Sequence, residues 1–249
     1  MMEPSRCETV IIGASDYREN DRLLNLFSLE HGRISGVARG AKRSVRRFGG
    51  ALELFARLIL QIKVRPGLSQ VIEAEIVTIH PGIRSELARI AHAGYATELL
   101  AHFSPEGVPN QRLFRLITSY LGHLDSNPAS PSDRRFYEIN LLNILGYRPS
   151  LDCCSRCGRG LLDGRGDARA AAGGEVLCSV CGPYGRPLDP VTLDLLGRSL
   201  KSGRFGEIRF PPALLAEAGD LLDNAIASHL AAPLRSLPFL KELEAAPAP

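Results

Sequence analysis

The sequence predicts a multidomain α+β protein, with an N-terminal five-stranded barrel and a C-terminal all-α domain that contains a four-cysteine module. Short apolar runs separated by Gly and Pro turns occupy residues 6–78, a pattern typical of strands. From residue 83 onward the apolar residues keep helical spacing. Two Cys-x-x-Cys pairs interrupt the helical region between residues 151 and 187. At 249 residues, the chain has room for two or three small domains.

The first predicted domain spans residues 1–80 and is all β. Its expected strands are 7–12, 23–27, 33–38, 52–64 and 71–79. Five short strands joined by tight turns favour a small barrel, because closing the sheet on itself removes its exposed edges. We therefore expect the five-stranded oligonucleotide-binding (OB) fold in this domain.

The helical domain is predicted in two parts, 81–150 and 188–243, on either side of the cysteine module at 151–187. Its expected helices run from Ile83 to Phe103, Leu113 to Leu124, Pro131 to Leu145, Pro190 to Lys201 and Pro212 to His229. Ser130 and Asp189 suit N-caps, since each precedes a proline at the first helical position, and Gly146 suits a C-cap. The tail, 244–249, is expected to fray.

Composition and termini limit the class of protein. Hydrophobic residues make up 45% of the chain and charged residues 23%, which is ordinary for a protein that buries a core. The longest near-apolar run, Leu52–Ile62, is much shorter than the roughly 20 residues that a membrane span needs. The N-terminus does not resemble a signal peptide, so we expect a cytoplasmic protein. In that reducing compartment, six cysteines favour metal binding or free thiols over disulfides.

Two Cys-x-x-Cys-Gly knuckles predict one metal site, formed by Cys154, Cys157, Cys178 and Cys181. A two-residue spacer lets both thiolates of a pair face one ion, and four sulfurs give the tetrahedral coordination that Zn²⁺ favours. An iron–sulfur cluster is the chemical alternative. Because four protein ligands leave no coordination position open, the predicted Zn²⁺ is structural. Cys153 is expected to be a neighbouring thiol, and Cys7 a small core residue.

Positive charge is concentrated in residues 33–65. This segment carries +8 and the rest of the chain −5, which together give the net charge of +3. Its basic residues are Arg33, Arg39, Lys42, Arg43, Arg46, Arg47, Arg57, Lys63 and Arg65. Such a concentration marks a polyanion-binding surface. Phe48 and Phe55 are candidates for stacking on bases; the alternative, a place in the core, is favoured for Phe55.

No catalytic motif stands out in the sequence. The six histidines are scattered, and the sequence lacks a Gly-x-Ser-x-Gly elbow, a phosphate-binding P-loop and a dinucleotide-binding glycine motif. We therefore expect no enzyme activity. Two other functions stay open, a zinc-ribbon transcription or RNA-binding factor and a zinc-supported hydrolase. The first predicts preference for a defined duplex or RNA, and the second predicts measurable turnover.

Four stretches of the sequence carry a family resemblance. They are Tyr17–Leu24 with Leu26–Phe27 and His31–Ile34; Ala38–Arg43; Leu141–Leu142 with Leu145–Pro149, leading into Cys154–Gly158; and Pro233–Ser236 with Phe239–Leu240. In this order they resemble the RecO family of bacterial recombination mediators, and together they cover most of the chain. The departures are small: Ser28 stands where threonine is frequent in the family, and the segment between the cysteine pairs is unusually rich in Gly, Ala and Arg.

The resemblance implies both architecture and function. It implies an OB domain, a helical domain and a zinc module, in a non-enzymatic protein of DNA repair and homologous recombination at the nucleoid. Such a protein binds single- and double-stranded DNA, anneals complementary strands and helps RecA displace single-strand-binding protein. The implied partners are RecR, the acidic C-terminal tail of single-strand-binding protein and, indirectly, RecF and RecA. The implied DNA contacts are Arg39, Lys42, Arg43, Arg46 and Arg47, with Arg33, Lys63 and Arg65 as weaker ones.

Overall fold

The structure is a computed structural model that describes residues 3–161 and 167–245. Contacts divide the chain into two compact units. The first unit comprises the residues up to Pro128 together with those from Leu234 onward, and the second unit is Ala129–Pro233. The cysteine module therefore belongs to the second unit, and the barrel to the first.

The first unit begins with a closed five-stranded barrel, as the sequence predicts. Its strands are β1 (Ser5–Tyr17), β2 (Asp21–Ser28), β3 (Gly32–Ala38), β4 (Arg57–Lys63) and β5 (Leu68–Thr78). The strand order is β1-β2-β3-β5-β4, and β1 closes the barrel by pairing with β4. Only β3 and β5 pair in parallel, from Ser35 opposite Leu68 to Ala38 opposite Val71. This is the arrangement expected of an OB fold.

Alternation of apolar and polar residues explains which side chains fill the barrel. In β4, Leu58, Leu60 and Ile62 are fully buried, while the residues between them face outward. Leu24 and Leu26 of β2 have the same spacing and are also buried. Each such side chain contributes about 1.5–3 kcal/mol of hydrophobic stabilisation, which fixes the pairing register because a one-residue slip would expose the whole set.

Between β3 and β4 lies one helical turn, α1 (Val45–Phe48). Phe48 and Phe55 are both buried, at 2% and 6% relative exposure, and Phe48 belongs to the barrel core. This burial confirms the core position that the sequence favours for Phe55. For Phe48 it decides between the two alternatives in favour of the core, because neither ring is accessible to a ligand. Positive charge around an aromatic residue is compatible with a core position when the ring points inward and its neighbours point outward.

Four helices complete the first unit: α2 (Pro81–Arg84), α3 (Leu87–Phe103), α4 (Gln111–Ser126) and α8 (Ser236–Ala245). The single helix expected from Ile83 to Phe103 is divided, because Glu86 adopts an extended conformation. The short α2 is held by Asp125, which accepts a 2.7 Å hydrogen bond from the Gly82 N–H. Helix α8 packs on α3, and the carboxylate of Glu98 accepts hydrogen bonds from the N–H groups of Arg235 and Ser236 at its start.

The second unit contains the helices α5 (Pro131–Leu145), α6 (Pro190–Ser202) and α7 (Pro212–Ala227). As predicted, Asp189 caps α6 by accepting from the Val191 N–H, and Gly146 ends α5 with a left-handed φ of 82°. Ser130 occupies the N-cap of α5, but its side chain makes no capping bond; its Oγ accepts from Arg209 instead. Helix α5 is buried as expected, although its buried residues include charged ones.

The cysteine module of the second unit forms a small three-stranded sheet. Its strands are β6 (Ala168–Ala170), β7 (Val176–Cys178) and β8 (Arg186–Pro187), in the order β7-β6-β8, with one 3₁₀ turn at Ala172–Gly174. The adjoining segment 162–166 lies outside the described residues. Of the predicted frayed tail, Glu244 and Ala245 are helical, and 246–249 lie outside the described residues. Among the described helices, none has the length and apolar character to cross a bilayer.

Candidate nucleic-acid interface and metal centre

The five strongest predicted contacts lie in one segment after β3, residues 39–47, which we call the basic loop. They are Arg39, Lys42, Arg43, Arg46 and Arg47. All are exposed except Arg47, which is half-buried. Within the described residues, Arg39, Arg43 and Arg46 form no ion pair, so their charges are not neutralised by carboxylates of the protein.

The basic loop is bonded to the turn between β1 and β2. Asp21 Oδ1 accepts a 2.8 Å hydrogen bond from the Gly40 N–H, and the Asn20 carbonyl accepts one of 3.1 Å from the Lys42 N–H. The Lys42 ammonium lies 2.8 Å from the Asp16 carboxylate, and this hydrogen bond and charge hold the pKa of Asp16 below its usual range. The position of the loop is therefore set by contacts to another part of the barrel.

Arg47 holds the loop from within. Its Nη2 donates to the Arg39 carbonyl at 2.9 Å, and its Nε donates to Ser44 Oγ at 3.0 Å. Its guanidinium also lies 5.0 Å from the centre of the Phe48 ring, at the barrel core. Arg47 thus supports the loop conformation, and the more exposed Arg39, Arg43 and Arg46 are better placed to meet a ligand.

Arg18 is a cation of this surface that the charge count along the sequence missed. It is exposed in the β1–β2 turn, the same turn that binds the basic loop, and it has a positive φ of 53°. Its guanidinium lies 5.3 Å from the centre of the Tyr17 ring. A window over residues 33–65 cannot include Arg18, because the two segments come together only when the strands pair. Arg18 does lie in the first stretch that carries the family resemblance.

The three weaker predicted contacts occupy different places. Lys63 of β4 pairs with Gln70 of β5, which in turn pairs with Val37 of β3. Since neighbouring strands lie about 4.8 Å apart, Lys63 is about 10 Å from the end of β3, where the basic loop begins. Arg65 follows in the exposed β4–β5 turn. Arg33 lies at the other end of β3, and its Nε donates to the Ser104 carbonyl at 2.8 Å.

Glu53, the single acid of the basic segment, faces other cations. Its Oε1 accepts a 2.9 Å hydrogen bond from Arg22, and its Oε2 lies 3.9 Å from Arg84. Arg57, the ninth basic residue, is paired with Glu8. The charge that remains unpaired in this segment is therefore concentrated in the basic loop and the β4–β5 turn.

The four predicted metal ligands come together in the second unit. The sulfurs of Cys154, Cys157, Cys178 and Cys181 all lie within 4.8 Å of one another, and those of Cys157 and Cys178 are 3.8 Å apart. Each knuckle is closed by a hydrogen bond of 2.9 Å, from the Gly158 N–H to the Cys154 carbonyl and from the Gly182 N–H to the Cys178 carbonyl. This set of four sulfur donors fits a tetrahedral metal ion.

The two glycines of the knuckles serve different purposes. Gly158 has a φ of +72°, which favours glycine, as the tight turn predicts. Gly182 does not have a positive φ; instead, a Cβ there would lie only 3.0 Å from the Leu177 Cβ. Close packing, and not backbone conformation, explains the second glycine.

The thiol environment of Cys154 in the cluster differs from that of Cys7 in the barrel. Burial opposes ionisation of Cys154, but main-chain N–H groups of the module donate to its sulfur and lower the pKa of this thiol to about 6. Burial in the barrel core raises the pKa of Cys7 to about 11, as expected of a structural thiol. Cys153 is not in the cluster, and its Sγ lies 3.2 Å from Ser150 Oγ.

Comparison with known proteins identifies the family. The family model for the N-terminal part of recombination protein O matches residues 2–80, and that for its C-terminal part matches residues 84–238. The DNA repair protein RecO of Geobacter sulfurreducens is 57% identical over 244 residues, which cover 97% of this chain and 99% of the relative. The RecO proteins of Geobacter metallireducens and of an Anaeromyxobacter species are 53% and 39% identical, with coverage of 98% or more on both sides. The chain therefore belongs to the RecO family of DNA repair proteins.

Proposed function

We propose that this chain is a non-enzymatic mediator of DNA repair and homologous recombination. It binds single- and double-stranded DNA, anneals complementary strands and, with RecR, helps load RecA on DNA coated with single-strand-binding protein. The observation that carries this proposal is the basic loop, an exposed group of cations fixed to the β1–β2 turn of an OB barrel. Family membership supports the assignment to repair over a zinc-ribbon transcription factor or a hydrolase.

The chemistry of the basic loop favours backbone contacts over base contacts. Guanidinium and ammonium groups bind phosphate oxygens, which are the same in every sequence. With Phe48 and Phe55 buried, the loop itself presents no aromatic ring for stacking. We therefore expect binding at the loop to be sequence-tolerant and to depend on salt.

Annealing follows from charge neutralisation. Two single strands repel each other through their phosphates, and a compact group of cations reduces this repulsion when both strands lie on it. Because the contacts go to phosphates, the base edges stay available for pairing with the other strand. No bond is made or broken in this process, so it requires no catalytic residue.

The four cysteines hold one structural Zn²⁺ in this proposal. Zn²⁺ suits a closed site of four sulfurs, and its charge would keep the thiols deprotonated. The support comes from the clustering of the four sulfurs and from the N–H groups directed at Cys154. The bound ion would stabilise a module whose own strands are only two or three residues long.

The partners proposed are those of the family. RecR would bind the OB domain, the acidic tail of single-strand-binding protein would bind a basic surface, and RecF and RecA would act indirectly. Together these contacts would place the protein at the nucleoid, where DNA carrying single-strand-binding protein accumulates during repair.

The test measures duplex formation from complementary strands coated with single-strand-binding protein. We expect the wild type to accelerate annealing, and the combined Arg43→Ala and Arg46→Ala variant to lose most of this acceleration. The matched control is Arg112→Ala with Arg115→Ala, which removes the same charge from the exposed face of α4. If the loop variant anneals as fast as the wild type, the basic loop is not the DNA-binding surface.

A further inference from the structure

One aromatic side chain of the cysteine module is completely exposed. Tyr184 has a relative exposure of 101%, and Val180, in the preceding knuckle, has 72%. A tyrosine ring normally covers part of its large apolar area against the protein. Because the Tyr184 ring buries almost none of its surface against the protein, it is available for contact with another molecule.

The exposure of Tyr184 does not come from a loose segment. Tyr184 lies in the turn Gly182–Gly185, which is closed by a 3.0 Å hydrogen bond from the Gly185 N–H to the Gly182 carbonyl. Pro183 precedes the tyrosine and restricts the backbone φ. A Cβ on Gly185 would lie 2.8 Å from the Ala170 carbonyl oxygen, so the turn packs tightly on β6. The ring is therefore presented on a fixed support.

Three guanidinium groups surround this turn. Arg156 donates to the Cys181 carbonyl at 2.9 Å, and Arg169 donates to the Gly185 carbonyl at 3.2 Å. Arg186 follows two residues after the tyrosine and is paired with Asp220. Among the described residues, neither Arg156 nor Arg169 forms a salt bridge. Arg156 is exposed, whereas Arg169 is half-buried, and its charge adds to the hydrogen bonds from Ser179 that lower the pKa of Asp167.

We propose that the Gly182–Gly185 turn is a second contact for single-stranded nucleic acid, in which an unpaired base stacks on Tyr184 and phosphates on either side meet Arg156 and Arg169. This site goes beyond the proposed function, which assigns DNA binding to the basic loop. A rigid aromatic ring beside cations is the combination with which proteins bind single strands without sequence preference. The bases of a duplex are stacked on one another, so this site selects single strands.

The experiment uses the full-length protein loaded with Zn²⁺ and an oligothymidylate that carries 5-iododeoxyuridine. Irradiation of the unaltered protein is expected to cross-link Tyr184, identified by mass spectrometry of the peptide. Tyr184→Ala is expected to weaken binding of the same oligonucleotide by roughly 5- to 150-fold, the range of one base–aromatic stack, while Tyr184→Phe keeps wild-type affinity. Binding of a blunt duplex is expected to be equal in all three proteins.

Three outcomes overturn this inference: no cross-link within the turn, wild-type affinity of Tyr184→Ala for the single strand, or equal losses in the Ala and Phe variants. The same measurements on Arg43→Ala with Arg46→Ala keep the two proposals apart. If that variant loses affinity and Tyr184 does not cross-link, only the second site is wrong. If Tyr184 cross-links and the loop variant binds like the wild type, only the assignment to the basic loop is wrong.

Discussion

The carboxylate of Asp21 accepts a 2.8 Å hydrogen bond from the main-chain N–H of Gly40. Gly40 has a φ of +65°, and a Cβ at this position would lie 3.2 Å from Nη2 of Arg47. The negatively charged Asp21 therefore fixes the start of the positively charged basic loop. Its hydrogen bond should favour DNA binding by holding the loop in place, whereas its negative charge should oppose DNA binding. Substitutions of Asp21 can separate these two effects.

Asp21→Asn keeps a hydrogen-bond acceptor and removes the negative charge, whereas Asp21→Ala removes both. We expect the Asn variant to bind an oligothymidylate at least as tightly as the wild type, because one repulsive charge is gone. The Ala variant should bind more weakly than the Asn variant, because the loop is no longer held. Fluorescence anisotropy at fixed salt measures the order. Tighter binding by the Ala variant would show that the hydrogen bond does not position the loop.

The salt dependence of the binding constant reports how many phosphates the basic loop contacts. If about five cations meet phosphates, the slope of log K against log salt is about −3 to −4 on a single strand. Removing Arg43 and Arg46 together should make this slope shallower by about 1.4. The slope of the control, Arg112→Ala with Arg115→Ala, should stay at the wild-type value. An unchanged slope in the loop variant would assign the phosphate contacts to other residues.

Metal content tests the cysteine site. The purified wild type is expected to hold about one equivalent of Zn²⁺, and Cys157→Ser to lose it, because a closed site needs all four sulfurs. Cys153→Ser is the matched control and should keep the metal, since Cys153 lies outside the cluster. Elemental analysis gives the metal content, and hydrogen exchange should show that loss of metal exposes the amides of β6 and β7 but not those of the barrel. Iron in place of zinc would favour the iron–sulfur alternative.

Glu98 gives the first unit an acid-sensitive contact. Burial raises the pKa of this carboxyl, but hydrogen bonds from Ser236 and Arg235 outweigh burial and hold the pKa below its usual value. A carboxyl with a lowered folded pKa stabilises above its unfolded pKa of about 4.3, and this contribution is lost as the pH falls through the folded pKa. Glu98→Gln should therefore destabilise the protein at neutral pH and flatten its stability profile below about pH 4.3. Denaturant unfolding at several pH values measures both effects. If the variant loses unfolding free energy as steeply as the wild type at low pH, the acid sensitivity comes from groups other than Glu98.

Glu138 tests the buried charges of α5. It is 0% exposed, and its carboxylate lies 3.3 Å from Arg134 Nε and 2.7 Å from Arg135 Nη1. Glu138→Ala should cost roughly 3–5 kcal/mol of unfolding free energy, because it leaves buried guanidinium groups without this partner. Asp220→Ala breaks the exposed pair with Arg186 and should cost about 1 kcal/mol or less. Chemical denaturation compares the two, and similar costs would mean that burial does not govern them.

The elements that could be predicted were those with local signals. The barrel follows from short apolar runs with turn residues between them, and the start of α6 from Asp189 before a proline. The clustering of the four cysteine sulfurs follows from the spacing of the two pairs, because a two-residue spacer lets both thiols of a pair face the same point. These features depend on residues close together in the sequence, and the structure agrees with them.

The features that were missed depend on partners distant in sequence. Arg18 joins the basic surface only through strand pairing. The break between α2 and α3 at Glu86 accompanies the hydrogen bond from the Gly82 N–H to Asp125, which lies 43 residues later in the sequence. Phe48 points into the barrel although cations precede it directly. In α5, Arg134 and Glu138 are buried because they pair with each other, which hydropathy does not reveal.

The docking of α8 on α3 has a consequence for synthesis. A ribosome releases the barrel and α3 early, but Glu98 can bind the start of α8 only after the whole second unit has emerged. Until then, the face of α3 that α8 covers is exposed to water and to chaperones. A fragment ending at Pro128 should therefore aggregate more readily than the 249-residue chain, even though it contains every strand of the barrel.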